Sequence, residues 1–260
     1  WLPGLAGRLR RQPAVIEIQT DDLAELARFP LMRWWNRATR ARVLGACAGL
    51  VAMTPELAAL PHYARYRLPS AIIGNPLPLV VPAPHRPSER PRLVMLGTPG
   101  QPWHGEDKLP ALAAACPEFD IDVVGPTPPL APGPANLRWH GWLAEDAYRG
   151  LLAMASAGLG TLALHRKGMQ QACALKVREY LAHGLPVILG HHDPGLPADA
   201  PFALSLPNRE DNVAGGIAAI RAYVRGWHGR RFDPAQLAHL RSDRIEGERL
   251  AFLAEIAGRG

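Results

Sequence analysis

The apolar residues of this 260-residue chain fall into short runs and helical stripes whose alternation is most regular in the second half. Between 158 and 190 an apolar run at 160–164 is followed by a polar loop carrying Arg166 and Lys167. A helical stripe comes next, and then a second apolar run at 185–189, rich in β-branched residues. The stripe is Cys173, Val177, Tyr180 and Leu181, spaced i, i+4, i+7 and i+8 as one helix face requires. Gly184 suits the C-cap and Pro186 blocks continuation. Lys176, Glu179 and His183 share another face at i, i+3 and i+7. A strand–loop–helix–strand unit with charge at the loop and first helical turns is where an α/β sheet usually keeps its ligand.

Upstream, 13–19 predicts a strand and Thr20-Asp21-Asp22 a helix start. Residues 31–47 carry apolar positions at helical spacing among many arginines, which predicts a surface helix. A short strand at 49–53 leads to a helix with Thr54 as N-cap and Pro55 at its first position. A further strand is expected at 71–74. Pro76, Pro78, Pro82, Pro84, Pro87 and Pro91 then mark 76–91 as an interdomain linker. After it, strands are predicted at 92–97, 119–125 and 202–206, and helices at 104–116, 145–154, 211–224 and 245–256, with a proline-rich turn at 126–134. Strands alternating with helices imply a parallel, doubly wound α/β sheet.

Composition narrows the class without naming a partner. Hydrophobic residues make up 48% and charged residues 20%, as in a globular protein, and no apolar run approaches the length of a bilayer span. Cys47, Cys116 and Cys173 lack metal-ligand spacing and read as reduced and buried, which points to a cytoplasmic location. A formal charge of +6 suits phosphorylated ligands or an anionic membrane surface and does not choose between them. The chain begins at Trp1 without an initiator Met, so a fragment is one expectation.

Three loops follow strand ends in the second half. Gly97-Thr98-Pro99-Gly100, continuing to His104 and Lys108, combines backbone access with a cation early on a helix, yet is neither a Walker loop nor a dinucleotide fingerprint. His140-Gly141-Trp142-Leu143 places a glycine beside an aromatic ring that would meet a nucleobase or simply cap the core. In the third, the helix start around Ala174–Lys176 offers unpaired N–H groups to a diphosphate, and Glu179 one turn on would accept from sugar hydroxyls. His191-His192-Asp193 reads as a loop rather than a metal site, because adjacent histidines seldom converge on one ion. Asp21 and Asp22 either cap a helix or line a cleft.

Glu179-Tyr180-Leu181-Ala182-His183-Gly184-Leu185-Pro186-Val187-Ile188 resembles the signature of retaining, group-1 type nucleotide-sugar glycosyltransferases of the GT-B fold. The resemblance extends in order through Val51-Ala52-Met53-Thr54-Pro55-Glu56-Leu57, Ile72-Ile73-Gly74-Asn75-Pro76, Trp103-His104-Gly105-Glu106-Asp107-Lys108-Leu109 and Trp139-His140-Gly141-Trp142 with Ala147-Tyr148. It implies two Rossmann-like domains facing a cleft. The first, partial and acceptor-side, would cover 1–86 with the linker. The second, nucleotide-sugar-binding, would cover 87–240, and 241–260 would form a helix packing back towards the first.

On the same resemblance the chain is an enzyme, a hexosyltransferase-like enzyme moving a sugar from a UDP- or GDP-linked donor, such as GDP-mannose, to an acceptor with retention, as in polysaccharide biosynthesis. The donor residues would be Gly97, His104, Lys108, Gly141, Trp142, Arg166, Lys167, Gln171, Leu175, Lys176 and Glu179, with Glu179 on the ribose. Gln171 stands where the family has the first acid of an E-x7-E pair, and it keeps an acceptor but loses the charge. The catalytic residue therefore stays unassigned. No metal or cofactor is expected, since cationic side chains and a helix N-terminus would stabilise the leaving diphosphate. Expected partners are the donor and a saccharide, lipid-linked or small-molecule acceptor, without nucleic acid, and with peripheral contact at the inner face of the membrane as a further candidate. Two alternatives remain: a non-catalytic nucleotide-sugar-binding or partner protein, which Gln171 would permit, and a nucleotide-sugar epimerase of the same fold.

Overall fold

A computed structural model describes residues 7–9, 11–82, 84–127 and 133–258. They form two compact units, one taking the chain up to Pro76 and again from His239, the other running from Leu77 to Ala238. Residues 128–132 of the expected proline-rich turn lie outside the described residues.

The first unit holds a three-stranded parallel sheet, β1 (Val15–Ile18), β2 (Gly49–Ala52) and β3 (Ser70–Ile72), in the order β1-β2-β3. Every residue of β2 is buried, as expected of a central strand covered on both faces. Its helices are α1 (Asp22–Glu25), α2 (Pro30–Leu44), α3 (Pro55–Ala59) and α4 (Pro61–Ala64). Asp21 caps α1, its carboxylate accepting from the Leu23 and Ala24 amides. Thr54 caps α3 by accepting from Leu57 N at 3.2 Å, with Pro55 at the first helical position. The C-terminal helix, Ser242–Ala257, returns to this unit, where Ile245, Phe252 and Ile256 form a core with Val51 and Ile73. Gly49 eases that approach, because a Cβ there would lie 3.1 Å from the Ile256 side chain, closer than ordinary packing contact.

The second unit is a six-stranded, wholly parallel sheet. Its strands are β4 (Arg92–Leu96), β5 (Asp120–Val124), β6 (Leu137–Gly141), β7 (Ala157–Leu159), β8 (Val187–Leu189) and β9 (Ala203–Ser205). The helices α5 (Leu109–Ala115), α6 (Glu145–Met154), α7 (Leu175–Ala182), α8 (Asn212–Gly215) and α9 (Ile217–Trp227) connect and cover them. The spatial order β6-β5-β4-β7-β8-β9 is that of a doubly wound nucleotide-binding sheet, and chain direction across it reverses between β4 and β7. Leu93, Met95, Ile121 and Val123 of the strands pack with Leu109 and Leu112 of α5 and with Ile220 and Val224 of α9.

Several elements differ from the sequence pattern. The strand expected at 160–164 lies earlier, as Ala157–Leu159. A Cβ on Gly158 would sit 2.4 Å from the Tyr180 ring, so only glycine lets α7 pack this closely. The helix expected from 104 begins at Leu109. Gly105, at φ +76°, separates two single 3-10 turns, Pro102–His104 and Glu106–Lys108, that precede it. The helix expected over 211–224 is broken at Gly216 into α8 and α9. The proline-rich run belongs to the second unit from Leu77 onward rather than hanging as a tether. Arg86 N donates to Ala153 O at 3.1 Å and Ser88 Oγ to Met154 O at 3.3 Å, tying it to the end of α6.

Candidate functional site

At the carboxyl ends of β4 and β5, beside the reversal of strand order, the second unit opens a cavity of about 260 Å3. Leu96 and Gly97 after β4, Val124 and Gly125 after β5, and Trp142 and Leu143 after β6 form one side. Tyr148 of α6 and Leu175, Lys176 and Glu179 of α7 form the other. Ligands of open α/β sheets bind at this position because loops from oppositely wound halves diverge there.

Backbone chemistry holds the strand ends in place. Gly125 has φ +101°, and a Cβ would fall 2.0 Å from Gly97 O, so the two turns touch through main chain alone. Gly97 N donates to Val124 O at 2.9 Å and Gly125 N to Gly141 O at 2.6 Å, linking three strand ends. Tyr180, wholly buried, accepts from Leu96 N at 2.6 Å through its hydroxyl, which burial pushes up in pKa. His140, next to last in β6, pairs with the buried Asp122 at 2.7 Å, steadying the turn that presents Trp142.

The charged groups at the pocket are few. The Lys176 ammonium is buried and donates to no partner among the described residues. Burial holds its pKa down to about 7, against the attraction of Glu106. His104 is also held below its ordinary value, chiefly by burial, and its Nδ1 accepts from Thr98 N at 3.4 Å. Glu179 lies 3.4 Å from His183 Nε2. The neighbouring Tyr148 hydroxyl is raised by burial first and by the Glu179 carboxylate second. Trp142, 80% exposed, and Leu175, 70% exposed, stand at the mouth. The start of α7, whose Leu175 and Lys176 line the cavity, has no side-chain cap on its first amides.

Of the residues expected at the site, this cavity assembles Gly97, Trp142, Leu175, Lys176 and Glu179, with His104 next to Gly97 and Gly141 bonded behind it. Three expected cations lie elsewhere. Lys108 does not begin a helix facing ligand. Its ammonium is spent on Leu162 O at 3.2 Å, Arg209 O at 3.2 Å and Asn212 Oδ1 at 2.8 Å. Arg166 forms a bidentate pair with Asp107 at 2.7 Å, donates to Pro102 O at 2.9 Å and also holds Glu210. Lys167 rests over the Trp103 ring, 4.4 Å from its centroid. Gln171 lies outside the cavity lining and joins His192 in a parallel bridge.

Spacing alone did not reveal Leu96, Val124, Gly125, Leu143 or Tyr148 as lining residues. A glycine closing the 119–125 strand was the available signal for Gly125. Also missed was Arg178, which faces away from the pocket. Arg178 and Asp193 form a bidentate pair at 2.7 and 2.8 Å, 1% and 0% exposed, anchoring α7 to the segment after β8. Asp193 is thereby engaged, and His191 Nδ1 faces Thr161 O at 3.0 Å. In the first unit Asp21, Asp22 and His62 bring ligand atoms within 4.8 Å of one another. Asp21 already caps α1, and Asp22 accepts from Tyr63 at 2.7 Å and Asn36 at 3.0 Å.

No protein-family model and no curated protein sequence matches the chain. Solved structures do. Sucrose-phosphate synthase from Thermosynechococcus elongatus aligns over 98% of this chain and 71% of its own, at 15% identity and a TM-score of 0.71. The lipopolysaccharide outer core galactosyltransferase WaaB aligns over 98% of this chain and 79% of its own, at 10% identity and a TM-score of 0.61. HepE from Anabaena, solved with UDP and glucose, aligns over 93% and 72%, at 13% identity and a TM-score of 0.52. The fold is of the GT-B glycosyltransferase type. At these identities the likeness is one of fold.

Proposed function

We propose that the second unit binds a nucleotide diphosphate-sugar and that the chain transfers the sugar, with retention, to a saccharide, lipid-linked or small-molecule acceptor. The observation that carries this reading is the unpartnered, buried Lys176 ammonium beside the uncapped start of α7 in the switch-point cavity. A buried ammonium without an acceptor is costly, and a bound anion supplies what is missing. The diphosphate would lie against Lys176 and the α7 amides. Glu179 would accept from the ribose hydroxyls, and the exposed Trp142 and Leu175 would flank the base. Charge developing on the leaving diphosphate would meet the ammonium and the helix N-terminus, both held by the folded unit before the ligand arrives.

Gln171 supports a binding-only alternative, since an amide cannot stabilise positive charge developing at the anomeric carbon as a carboxylate would. Titration calorimetry of the 260-residue chain with UDP-glucose and GDP-mannose tests the donor site. A Glu179→Ala variant should bind its donor roughly ten- to a hundred-fold more weakly, the range for a lost hydrogen bond to a charged group. Unchanged affinity in that variant would refute the site. Transfer of labelled sugar by a chain that binds donor separates turnover from binding alone.

A further inference from the structure

The outward face of α2, in the first unit, carries the residues a water-facing helix normally lacks. Leu31, Trp34 and Trp35 are 77%, 63% and 56% exposed, and Phe29 and Met32 are exposed beside them. Leu31, Trp34, Trp35 and Ala38 recur at i, i+3, i+4 and i+7, so they form one stripe. The two indole rings lie 6.4 Å apart. Contiguous exposed apolar surface of this kind marks an interaction site.

Charge decides which partner fits. No Asp or Glu occurs anywhere from Leu26 to Pro55, while α2 alone carries Arg33, Arg37, Arg40 and Arg42. Arg40 turns inward over the Tyr63 ring, 4.4 Å from its centroid, and pairs with Asp22. Arg37 and Arg42 stay exposed, Arg42 in register with the tryptophan stripe and Arg37 on its flank. A symmetric pairing of two such faces would bring arginines of like charge together with no acid to relieve them. A bilayer of anionic lipid instead offers an apolar interior to Leu31 and Met32, an interface that favours indole rings, and phosphates to Arg37 and Arg42. No helix among the described residues is long and apolar enough to cross a membrane, so α2 would lie in the plane of the interface.

We propose that α2 is a membrane-docking helix that seats the first unit on an anionic phospholipid surface through Leu31, Met32, Trp34 and Trp35, with Arg37 and Arg42 on headgroup phosphates. The proposal is independent of the donor site, which lies wholly in the second unit.

Vesicle flotation of the 260-residue chain provides the test, comparing phosphatidylcholine alone with phosphatidylcholine containing about a third phosphatidylglycerol. The chain should float with the anionic vesicles, stay in the unbound fraction with the neutral ones, and dissociate from the anionic ones as salt rises. Arg37→Glu/Arg42→Glu should weaken binding by about 30-fold or more, from roughly one decade or less per basic residue lost. Trp34→Ala/Trp35→Ala should weaken it by at least about tenfold. These side chains are exposed, so far-UV circular dichroism and donor binding should match the parent chain. Equal binding to both vesicle types, or binding indifferent to both double variants, would overturn the proposal. So would light scattering showing a dimer that the tryptophan variant turns into monomer, in a chain that ignores vesicles.

Discussion

An amine taken out of water without an acceptor gives up its proton more readily, and Lys176 is held at about 7 for that reason. If a donor diphosphate lies against it, the anion restores the charged form, and binding takes up a proton above that pKa. The sign is fixed: the cationic form binds the anion, so affinity is greatest below about pH 7 and falls as pH rises through it. Calorimetry with a nucleotide diphosphate-sugar, whose diester phosphates do not titrate there, should show affinity falling about tenfold between pH 7 and pH 8.5. A Lys176→Met variant should bind more weakly at pH 6.5 and show a flat profile. A parent profile as flat as the variant's would show that Lys176 does not meet the anion. Lys176 and Glu179 were legible because helix spacing fixes which side chains share a face. The roles of Lys108 and Arg166 were not. Sequence shows a cation, but not the Asn212, Asp107 or Glu210 that the fold brings to it.

Helix α7 links the site to the rest of its unit, and its two faces obey different constraints. On the sheet side, Tyr180 packs on Gly158 and its hydroxyl meets Leu96 N, so the helix fixes the end of β4 that opens the pocket. That contact also bears on why the apolar pattern misplaced β7: the three-residue strand carries Gly158 where the helix presses closest, so it offers little apolar signal. On another side Arg178 reaches Asp193 beyond β8, both fully buried. The stripe that predicted α7 left Arg178 out, because a period of 3.6 finds apolar faces and cannot foresee a carboxylate arriving from fifteen residues downstream. Removing one partner should be severe. Asp193→Leu strands a buried guanidinium and should cost about 3–5 kcal/mol in urea unfolding, whereas Arg178→Met/Asp193→Leu should recover most of it. If the double variant is as unstable as the single, the cost is one of packing, not of an unpaired charge.

At the scale of the chain, the order of segments and the order of units disagree, since the C-terminal helix follows the second unit yet belongs to the first. Sequence periodicity predicted that helix, but its placement came only with the resemblance to a two-domain family, because amphipathicity says which face is buried and not against what. The physical partner is the apolar patch of Val51 and Ile73, with Gly49 easing the approach of Ile256 to β2. Ile245, Phe252 and Ile256, at roughly 2 kcal/mol for each buried side chain, contribute about 6 kcal/mol. That is comparable to the whole stability of a small domain. A chain ending at Arg241 should therefore lose the first unit's folding transition in calorimetry while the second unit still melts cooperatively. Donor at a hundredfold excess over its dissociation constant stabilises only what it binds, by about 2.7 kcal/mol. It should raise the remaining transition in the shortened chain and one of two transitions in the parent. A shortened chain that keeps both transitions would show that the helix does not hold the first unit together. One that loses donor binding with the helix would show that the second unit does not form its site alone.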